Sequence, residues 1–196
     1  CSPPVTDSVM INFFKIDTVK FTPPSAFECA PYNPTFTNLT PNSLSCLWDM
    51  GDGTFVNSCD PFEYTYSNPG TYIVNLTIVD TNSCSTTSSP PALIIVNPNP
   101  IADFTYTPED PTVVNTLVNF NNASEGQITM WEWTFFDINN NVIGNSQNIN
   151  PEFTFPSDTG LYAVNLKVTT LNDCPDDTTI YIYINNEYSL WIPNSF

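Results

Sequence analysis

The chain has no histidine and no arginine, and its basic residues are three lysines, Lys15, Lys20 and Lys167. Because 20 acidic residues stand against them, the net charge is −17 at pH 7. Binding to nucleic acid or to an anionic membrane surface needs basic side chains near phosphate groups, so this composition argues against both. Without histidine the chain also lacks the usual general base and the commonest zinc ligand.

Long hydrophobic runs are missing as well. The longest are five or six residues, such as Ala92–Val96, whereas a membrane helix needs about 20. Apolar residues nowhere repeat at helical spacing over three turns, while aromatics make up 14% of the chain and prolines number 19. This composition predicts an all-β protein that does not cross a membrane.

The six cysteines form no CxxC motif and have no histidine nearby, which favours disulfides in an oxidising compartment over a zinc site. The sequence therefore predicts a secreted protein. Since its first residue is Cys1 and no signal peptide is present, we expect an internal piece or a processed form.

The chain contains an internal repeat. Gly70–Leu76 (GTYIVNL) returns as Gly160–Leu166 (GLYAVNL), 90 residues later, and Trp48 returns as Trp133, 85 residues later. The second copy thus carries about five extra residues, within Asp137–Asn150. Repeats at a fixed period indicate an array of like units.

A partial third copy is visible at the start, because Cys1 precedes Phe21 by the same interval that separates Cys84 from Phe104. The expected organisation has four parts: residues 1–15 as the last strand of an earlier repeat, 16–99 and 100–186 as two domains, and 187–196 as a linker.

Alternation with period two predicts which side chains face the core. In the first copy Tyr72, Val74, Leu76 and Ile78 alternate with Thr71, Ile73, Asn75 and Thr77. A tryptophan in the third strand and a tyrosine opening a late strand are typical of immunoglobulin-like cores. We therefore predict tandem immunoglobulin-like β-sandwiches, with core residues Trp48, Trp133, Tyr72 and Tyr162.

Two segments of the first copy together resemble the PKD (polycystic kidney disease) domain. They are Trp48–Gly53 (WDMGDG) and Tyr66–Tyr72 (YSNPGTY). The second copy resembles a degenerate PKD domain, in which Trp133–Asp137 (WTFFD) keeps the tryptophan and one aspartate. The resemblance implies two non-catalytic PKD sandwiches.

The ending Leu190–Phe196 (LWIPNSF) resembles the start of the C-terminal sorting domain, of the gliding-motility type, in Bacteroidota proteins. This resemblance implies export by the type IX secretion system and attachment to the outer membrane of a Gram-negative cell, with a secretion or gliding-motility component as partner. It also implies a domain that continues beyond Phe196. Three Asp-Ser/Thr-hydrophobic tripeptides match the O-glycosylation pattern of that phylum, at Ser8, Thr18 and Thr178.

Two functions are consistent with these resemblances. The first is a semi-rigid spacer and protein- or glycan-binding segment of a gliding-motility-type adhesin, with short Pro- and Asn-rich joints such as Asn97–Pro100. The alternative is an accessory PKD module of a secreted hydrolase that degrades polysaccharide or protein. Four aromatics expected to be exposed could stack on sugar rings: Trp131, Tyr181, Tyr183 and Trp191. Trp131 precedes Trp133 by two residues, so a position on the core-facing side is favoured for it.

Related repeats commonly bridge the positions of Cys29 and Cys84, so the resemblance implies that disulfide. A second bridge between Cys46 and Cys59 is expected because the two lie on adjacent predicted strands. In the alignment of the two repeats Cys174 has no partner within the chain, so it should be unpaired. Cys1 should have its partner upstream.

Asp49 and Asp52 flank a glycine turn, and two interpretations stay open. The carboxylates could contribute to a calcium site, although calcium takes six to eight oxygen ligands. Alternatively, each could accept backbone N–H bonds, with Gly51 and Gly53 supplying positive φ angles. A carboxylate pair in an open turn lacks the cleft that would raise one pKa, so we expect no catalysis.

Overall fold

The structure is a computed structural model that describes residues 18–23 and 25–186. The described residues form β-strands and turns and contain no helix, so the all-β prediction is confirmed. No helix among them is long and apolar enough to cross a membrane. The expected last strand of an earlier repeat and the expected linker after residue 186 lie outside the described residues.

The described residues pack as two compact units. The first contains the residues up to Phe27 together with Pro31–Val96, and the second contains Glu28–Ala30 and the residues from Asn97 onward. Nine strands start in the first unit: β1 Phe21–Thr22, β2 Ser25–Cys29, β3 Thr35–Asn38, β4 Ser43–Asp49, β5 Phe55–Asn57, β6 Phe62–Glu63, β7 Gly70–Asp80, β8 Ser85–Thr87 and β9 Ala92–Asn97.

These strands form two sheets that face each other across an aromatic core. One sheet has the order β1-β3-β6, and the other has the order β2-β9-β7-β4-β5, with β8 also paired to β7. Phe36 of the first sheet lies 5.5 Å from Trp48 of the second, measured between ring centroids. Both side chains are fully buried, so the unit is a sandwich of the immunoglobulin-like kind.

The second unit repeats this plan with seven strands: β10 Phe104–Thr107, β11 Leu117–Asn122, β12 Ile128–Phe136, β13 Val142–Ser146, β14 Glu152–Thr154, β15 Gly160–Thr170 and β16 Pro175–Ile184. Its sheets have the orders β10-β11-β14 and β13-β12-β15-β16. Phe120 of the first sheet lies 5.5 Å from Trp133 of the second.

The core side chains of the long strands in both units follow the predicted alternation. Tyr162, Val164, Leu166 and Val168 of β15 are all buried, and Lys167 between them is exposed. Trp48 and Trp133 are buried too, and each indole Nε1 donates to a backbone carbonyl, that of Ser58 and that of Asn148. Tyr72 differs from the prediction, since it is only partly buried.

The two predicted tyrosines tie down the chain ahead of a long strand. The Tyr72 hydroxyl donates to the carbonyl oxygen of Asn68 at 2.8 Å, and the Tyr162 hydroxyl donates to that of Asp158 at 3.1 Å. In the first unit a further tyrosine, Tyr66, takes the fully buried position. It stacks on Tyr72 and donates to the carbonyl oxygen of Met50 at 2.9 Å.

Candidate functional site

The acidic turn, residues 49–54, is held by its own carboxylates. Asp49 Oδ1 accepts a hydrogen bond from the Gly51 amide at 3.0 Å, and Asp52 Oδ1 accepts one from the Thr54 amide at 2.9 Å. Asp52 Oδ2 also accepts the Tyr64 hydroxyl at 2.7 Å. Each aspartate therefore has a structural role in the turn.

The electrostatics of the turn agree with this role. Burial acts to raise the pKa of Asp52, but hydrogen bonds from Tyr64 and Thr54 outweigh it and hold the pKa below its usual value. Burial raises the pKa of Tyr64, and the neighbouring Asp52 carboxylate adds to that rise.

A metal site would need more ligands than the acidic turn supplies. Among residues 18–23 and 25–186, no group of three or more histidine, cysteine, aspartate or glutamate side chains is placed to hold a metal ion. In the second unit the corresponding turn uses Asp137, whose Oδ1 accepts the amides of Asn139 and Asn141. Side-chain and backbone hydrogen bonds from Asn141 lower the pKa of Asp137.

One disulfide agrees with the expectation and the other does not. Cys46 is bonded to Cys59. Cys29, however, is bonded to Cys174, with Cα atoms 5.6 Å apart, and Cys84 is a free thiol. The predicted Cys29–Cys84 bridge and the predicted unpaired Cys174 are therefore wrong, and Cys1 lies outside the described residues.

The strand arrangement explains this correction. The end of β2 lies beside the end of β9, where the Ala30 amide donates to Asn97 O. Cys84 instead follows the far end of β7, since Gly70 pairs with Val96 and Asp80 ends the strand ten residues later. Ten residues of strand span about 33 Å, and a disulfide needs Cα atoms within about 7 Å.

Near Asn97 the second unit supplies Cys174 as the partner of Cys29, which the alignment of the two repeats did not indicate. Asn172, in the turn before Cys174, donates from its side chain to Asn97 Oδ1 at 3.0 Å. Asn97 in turn donates to the Glu28 carbonyl. These contacts bring the turn of Cys174 to Cys29, and no spacing in the sequence indicates them.

The glycosylation tripeptides lie in different surroundings. Thr18 is exposed, Thr178 is partly buried in the middle of β16, and Ser8 lies outside the described residues. Their modification stays a prediction.

The outer side of β15 and β16 carries the candidate interaction surface, called here the tyrosine face. Tyr181 and Tyr183 are 63% and 51% exposed, and Leu161, cross-strand from Tyr183, is 52% exposed. Residues two apart on a strand lie on one side, about 7 Å apart. The two rings therefore form one exposed aromatic row.

Polar side chains continue this face along the same strands. The Asn165 side-chain amide donates to Asp177 Oδ2 at 2.9 Å and to Thr179 Oγ1 at 3.0 Å. Next to them, Lys167 and Glu132 form a cross-strand ion pair at 3.2 Å. An aromatic row beside fixed polar groups can bind a partner that has both apolar and hydroxyl or amide surface.

These features define a class: two β-sandwich modules, each with a buried tryptophan and a tyrosine tied to the chain before it. Residues 25–94 match the model of the PKD domain family, which supports a PKD domain in the first unit. No curated protein sequence matches the chain.

Three solved structures illustrate the likeness to known sandwiches. The fibronectin(III)-like modules of Clostridium thermocellum CbhA are 15% identical, covering 89% of this chain and 100% of theirs, with a TM-score of 0.44. The PKD1 domain of the Vibrio cholerae metalloprotease PrtV is 24% identical, covering 44% and 98%, with a TM-score of 0.36. Carbohydrate-binding modules from the β-sandwich superfamily are 15% identical, covering 87% and 91%, with a TM-score of 0.34. Scores this low add nothing to the family match.

Proposed function

We propose that this chain is a non-catalytic segment of a secreted adhesin of the gliding-motility type, in which it serves as a semi-rigid spacer and as a binding module. The PKD match at residues 25–94 and the two disulfides indicate an extracellular protein. The short joint after β9 contains Pro98 and Pro100, and proline restricts backbone freedom, which suits a spacer.

The tyrosine face is the observation that carries the binding role. Tyr181 and Tyr183 leave more than half of their surface in water on a strand whose other side packs into the core. Covering such side chains contributes about 1.5–3 kcal/mol each. An aromatic row bordered by polar groups is characteristic of a surface that another molecule covers.

The charge of the chain narrows the choice of partner. With a net charge of −17, a polyanion would be repelled, so a surface glycan without acidic groups or a protein with a neutral or basic patch fits best. We also propose contact with an outer-membrane type IX secretion or gliding-motility component. The residues that support this contact, 190–196, lie outside the described residues.

Binding of the purified chain to a glycan array and to cell envelopes tests the proposal. The double variant Tyr181→Ala/Tyr183→Ala should bind at least about tenfold more weakly, because it loses at least about 1.4 kcal/mol of binding free energy. Phe55→Ala is the matched control, since Phe55 is 60% exposed on the first unit. Equal binding by the double variant and the unchanged chain would contradict the proposed surface.

A second measurement separates the adhesin from the accessory hydrolase module. An adhesin segment should bind envelopes of its own cell type or their surface glycans. Binding confined to a polymeric substrate such as cellulose or collagen, with no binding to envelopes, would favour the hydrolase module instead.

A further inference from the structure

We propose that the outer edge of β16 binds an extended segment of another protein, which joins the sheet as a strand parallel to β16. The site is the backbone edge of this strand and not the side-chain surface of the tyrosine face, so the inference goes beyond the proposed function. β16 ends the sheet order β13-β12-β15-β16, and no further strand within residues 18–23 and 25–186 lies along it.

Alternate backbone groups of β16 point away from β15. The register of the two strands has no irregularity, and the direction of hydrogen bonding alternates along a strand. Cys174, just before β16, faces β15, because its carbonyl accepts the Thr170 amide. Asn185, just after β16, faces outward, because its amide and carbonyl bond to Pro111 and Val113. The residues of β16 whose backbone groups face outward are therefore Asp177, Thr179, Tyr181 and Tyr183.

β16 corresponds to β9 of the first repeat. The first residue of β7 pairs with Val96, and the first residue of β15 pairs with Ile184. The next carbonyl of each strand, that of Asn97 and that of Asn185, accepts an outside amide at 3.0 and 2.9 Å. The outer edges of β9 and β16 can therefore be compared residue by residue.

In the first repeat a strand covers this edge. β2 lies next to β9 in the sheet order and has five residues. The Leu93 amide donates to Ser25 Oγ, and the Ala30 amide donates to Asn97 O. Because both chain segments advance in the same direction, β2 runs parallel to β9.

The second repeat has no such strand, because proline interrupts the matching segment. The Val113 amide donates to Asn185 O, the counterpart of the bond that follows β2 in the first repeat. The segment before it, Pro108–Thr112 (PEDPT), forms no strand and keeps one isolated parallel bridge, between Thr112 and Asn185. Proline has no N–H to donate to a sheet. The outward backbone groups of β16 are thereby left open.

The sequence of β16 does not protect this edge. Natural sheets shield their edge strands with charged side chains, prolines or bulges. Thr178–Tyr183 (TTIYIY) contains no charged residue and no proline, and its pairing with β15 has no bulge. Such an edge can accept the main-chain hydrogen bonds of an added strand.

The charges around the edge select the partner. Asp176 and Asp177 lie at its start, and the exposed residues Glu109 and Asp110 stand on the segment at its far end. Lys167, cross-strand from Asp177, is balanced by an ion pair at 3.2 Å with a glutamate of β12. A second copy of the chain, with a net charge of −17, would be repelled. The partner strand therefore has lysine or arginine at its ends and uncharged residues between them.

The probe is the peptide KKSAFQSAKK. It places Ser25–Ala30, with glutamine and serine for Glu28 and Cys29, between pairs of lysines. Amide exchange of the ¹⁵N-labelled whole chain is measured with and without the peptide. In the free chain the outward amides of Tyr181 and Tyr183 should exchange at least about a hundredfold faster than the inward amide of Ile182. The peptide should bind with a Kd below about 1 mM and slow both outward amides to the rate of Ile182.

One pair of variants tests the edge itself. Thr179→Pro removes an outward N–H and leaves the hydrogen bonds to β15 and both tyrosines in place. Thr179→Ala is the matched control, because it loses the same hydroxyl, which accepts from Asn165, and keeps the N–H. We expect Thr179→Pro to raise the Kd of the peptide at least about tenfold and Thr179→Ala to leave it unchanged.

Modified peptides give the answer with the unchanged chain if Thr179→Pro does not fold. The amides at the positions of Ala26 and Glu28 share the direction of the Ala30 amide, which bonds to β9. N-methylation at these two positions should abolish binding, whereas N-methylation at the positions of Phe27 and Cys29 should preserve it. Replacing the four lysines by glutamates should weaken binding at least about tenfold.

Four results would overturn the inference. They are protection of the outward amides in the free monomer, no protection by the peptide at about 1 mM, equal binding by Thr179→Pro and Thr179→Ala, and protection that rises with the concentration of the chain alone, which would make a second copy the occupant. The proposed function is tested separately, because Thr179→Pro leaves Tyr181 and Tyr183 in place and should not change binding to glycans.

Discussion

Replacing Gly51 by alanine should destabilise the first unit strongly, and Gly53 provides the control within the same turn. Both glycines have positive φ angles, 81° and 91°, which cost an L residue about 1–2 kcal/mol. The two positions differ in the space around them. A Cβ on Gly51 would lie 2.6 Å from the Ile73 amide nitrogen, whereas a Cβ on Gly53 would have no neighbour within 4 Å.

The expected magnitudes follow from this difference. The atoms that Gly51→Ala would strike belong to the backbone of β7, which pairs with strands on both sides and has little freedom to move. Overpacking adds about 1–3 kcal/mol to the backbone strain. We therefore expect a loss of about 2–5 kcal/mol for Gly51→Ala and about 1–2 kcal/mol for Gly53→Ala.

Guanidinium unfolding followed by tryptophan fluorescence measures both values, because Trp48 lies three residues before Gly51 in the same core. For a unit of this size the Gly51 variant should also melt at least about 10 °C lower than the unchanged chain. Equal unfolding free energies for the two alanine variants would refute the argument from the close approach of β7.

Three further outcomes are expected. Non-reduced peptide mapping should link Cys29 to Cys174, and replacing that pair by serine should cost about 5 kcal/mol in the chain-entropy model, because the bridge spans 145 residues; a link from Cys29 to Cys84 would contradict the structure. Burial raises the pKa of Tyr66. The neutral Tyr66 side chain therefore contributes fully to stability below pH 10, and this contribution is lost as the pH rises above about 10, where the unfolded chain ionises first. Urea midpoints from pH 8 to 11 should fall less steeply in Tyr66→Phe than in the unchanged chain. Chelation by EDTA should shift the melting temperature by less than about 10 °C, and a larger calcium-dependent shift would mean that the acidic turn binds metal.

The repeat offset predicts local structure well because the same short-range contacts recur. Ser83 and Asp173, 90 residues apart, have φ angles of 62° and 60°. The amide of each donates to the carbonyl three residues earlier, that of Asp80 and that of Thr170. Turns of this kind depend on neighbours within a few residues, so one sequence window is sufficient to predict them.

Contacts between distant segments could not be predicted in the same way. The alignment places Cys29 in the first domain, and nothing in its spacing shows that Glu28–Ala30 group with the second unit. The wrong expectation that Cys84 is bridged has the same cause, because it assumed that Cys29 belongs with the first domain. A disulfide depends on where two strand ends meet in space, and a period read from sequence does not contain that information.

The candidate binding surface could be predicted from the sequence in part. Tyr181 and Tyr183 are exposed on one side of β16, which confirms the expectation that they are exposed aromatics. The expectation that Trp131 shares the core-facing side agrees with its packing against the buried cluster of the second unit.

The inserted hairpin also allows a prediction about packing in the second unit. Gly144 lies directly across from Phe135, and a Cβ on Gly144 would come within 2.3 Å of the Phe153 ring. Phe153 stacks on Phe135 with ring centroids 4.0 Å apart and an interplanar angle of 4°, so the missing side chain at Gly144 leaves the space that this ring occupies. Alanine would force Phe153 off the stack, at a cost of about 1–3 kcal/mol.

Gly160 provides the matched comparison for Gly144. A Cβ there would come within 2.5 Å of Ile138 Cγ2, but Ile138 is 53% exposed and can turn toward solvent. Gly160→Ala should therefore change the unfolding free energy by only about 0.5 kcal/mol. If urea unfolding finds Gly160→Ala as destabilising as Gly144→Ala, then the space for the Phe153 ring is not what requires glycine on β13. Both variants add the same methyl group, and only Gly144→Ala displaces an aromatic ring that packs against the core.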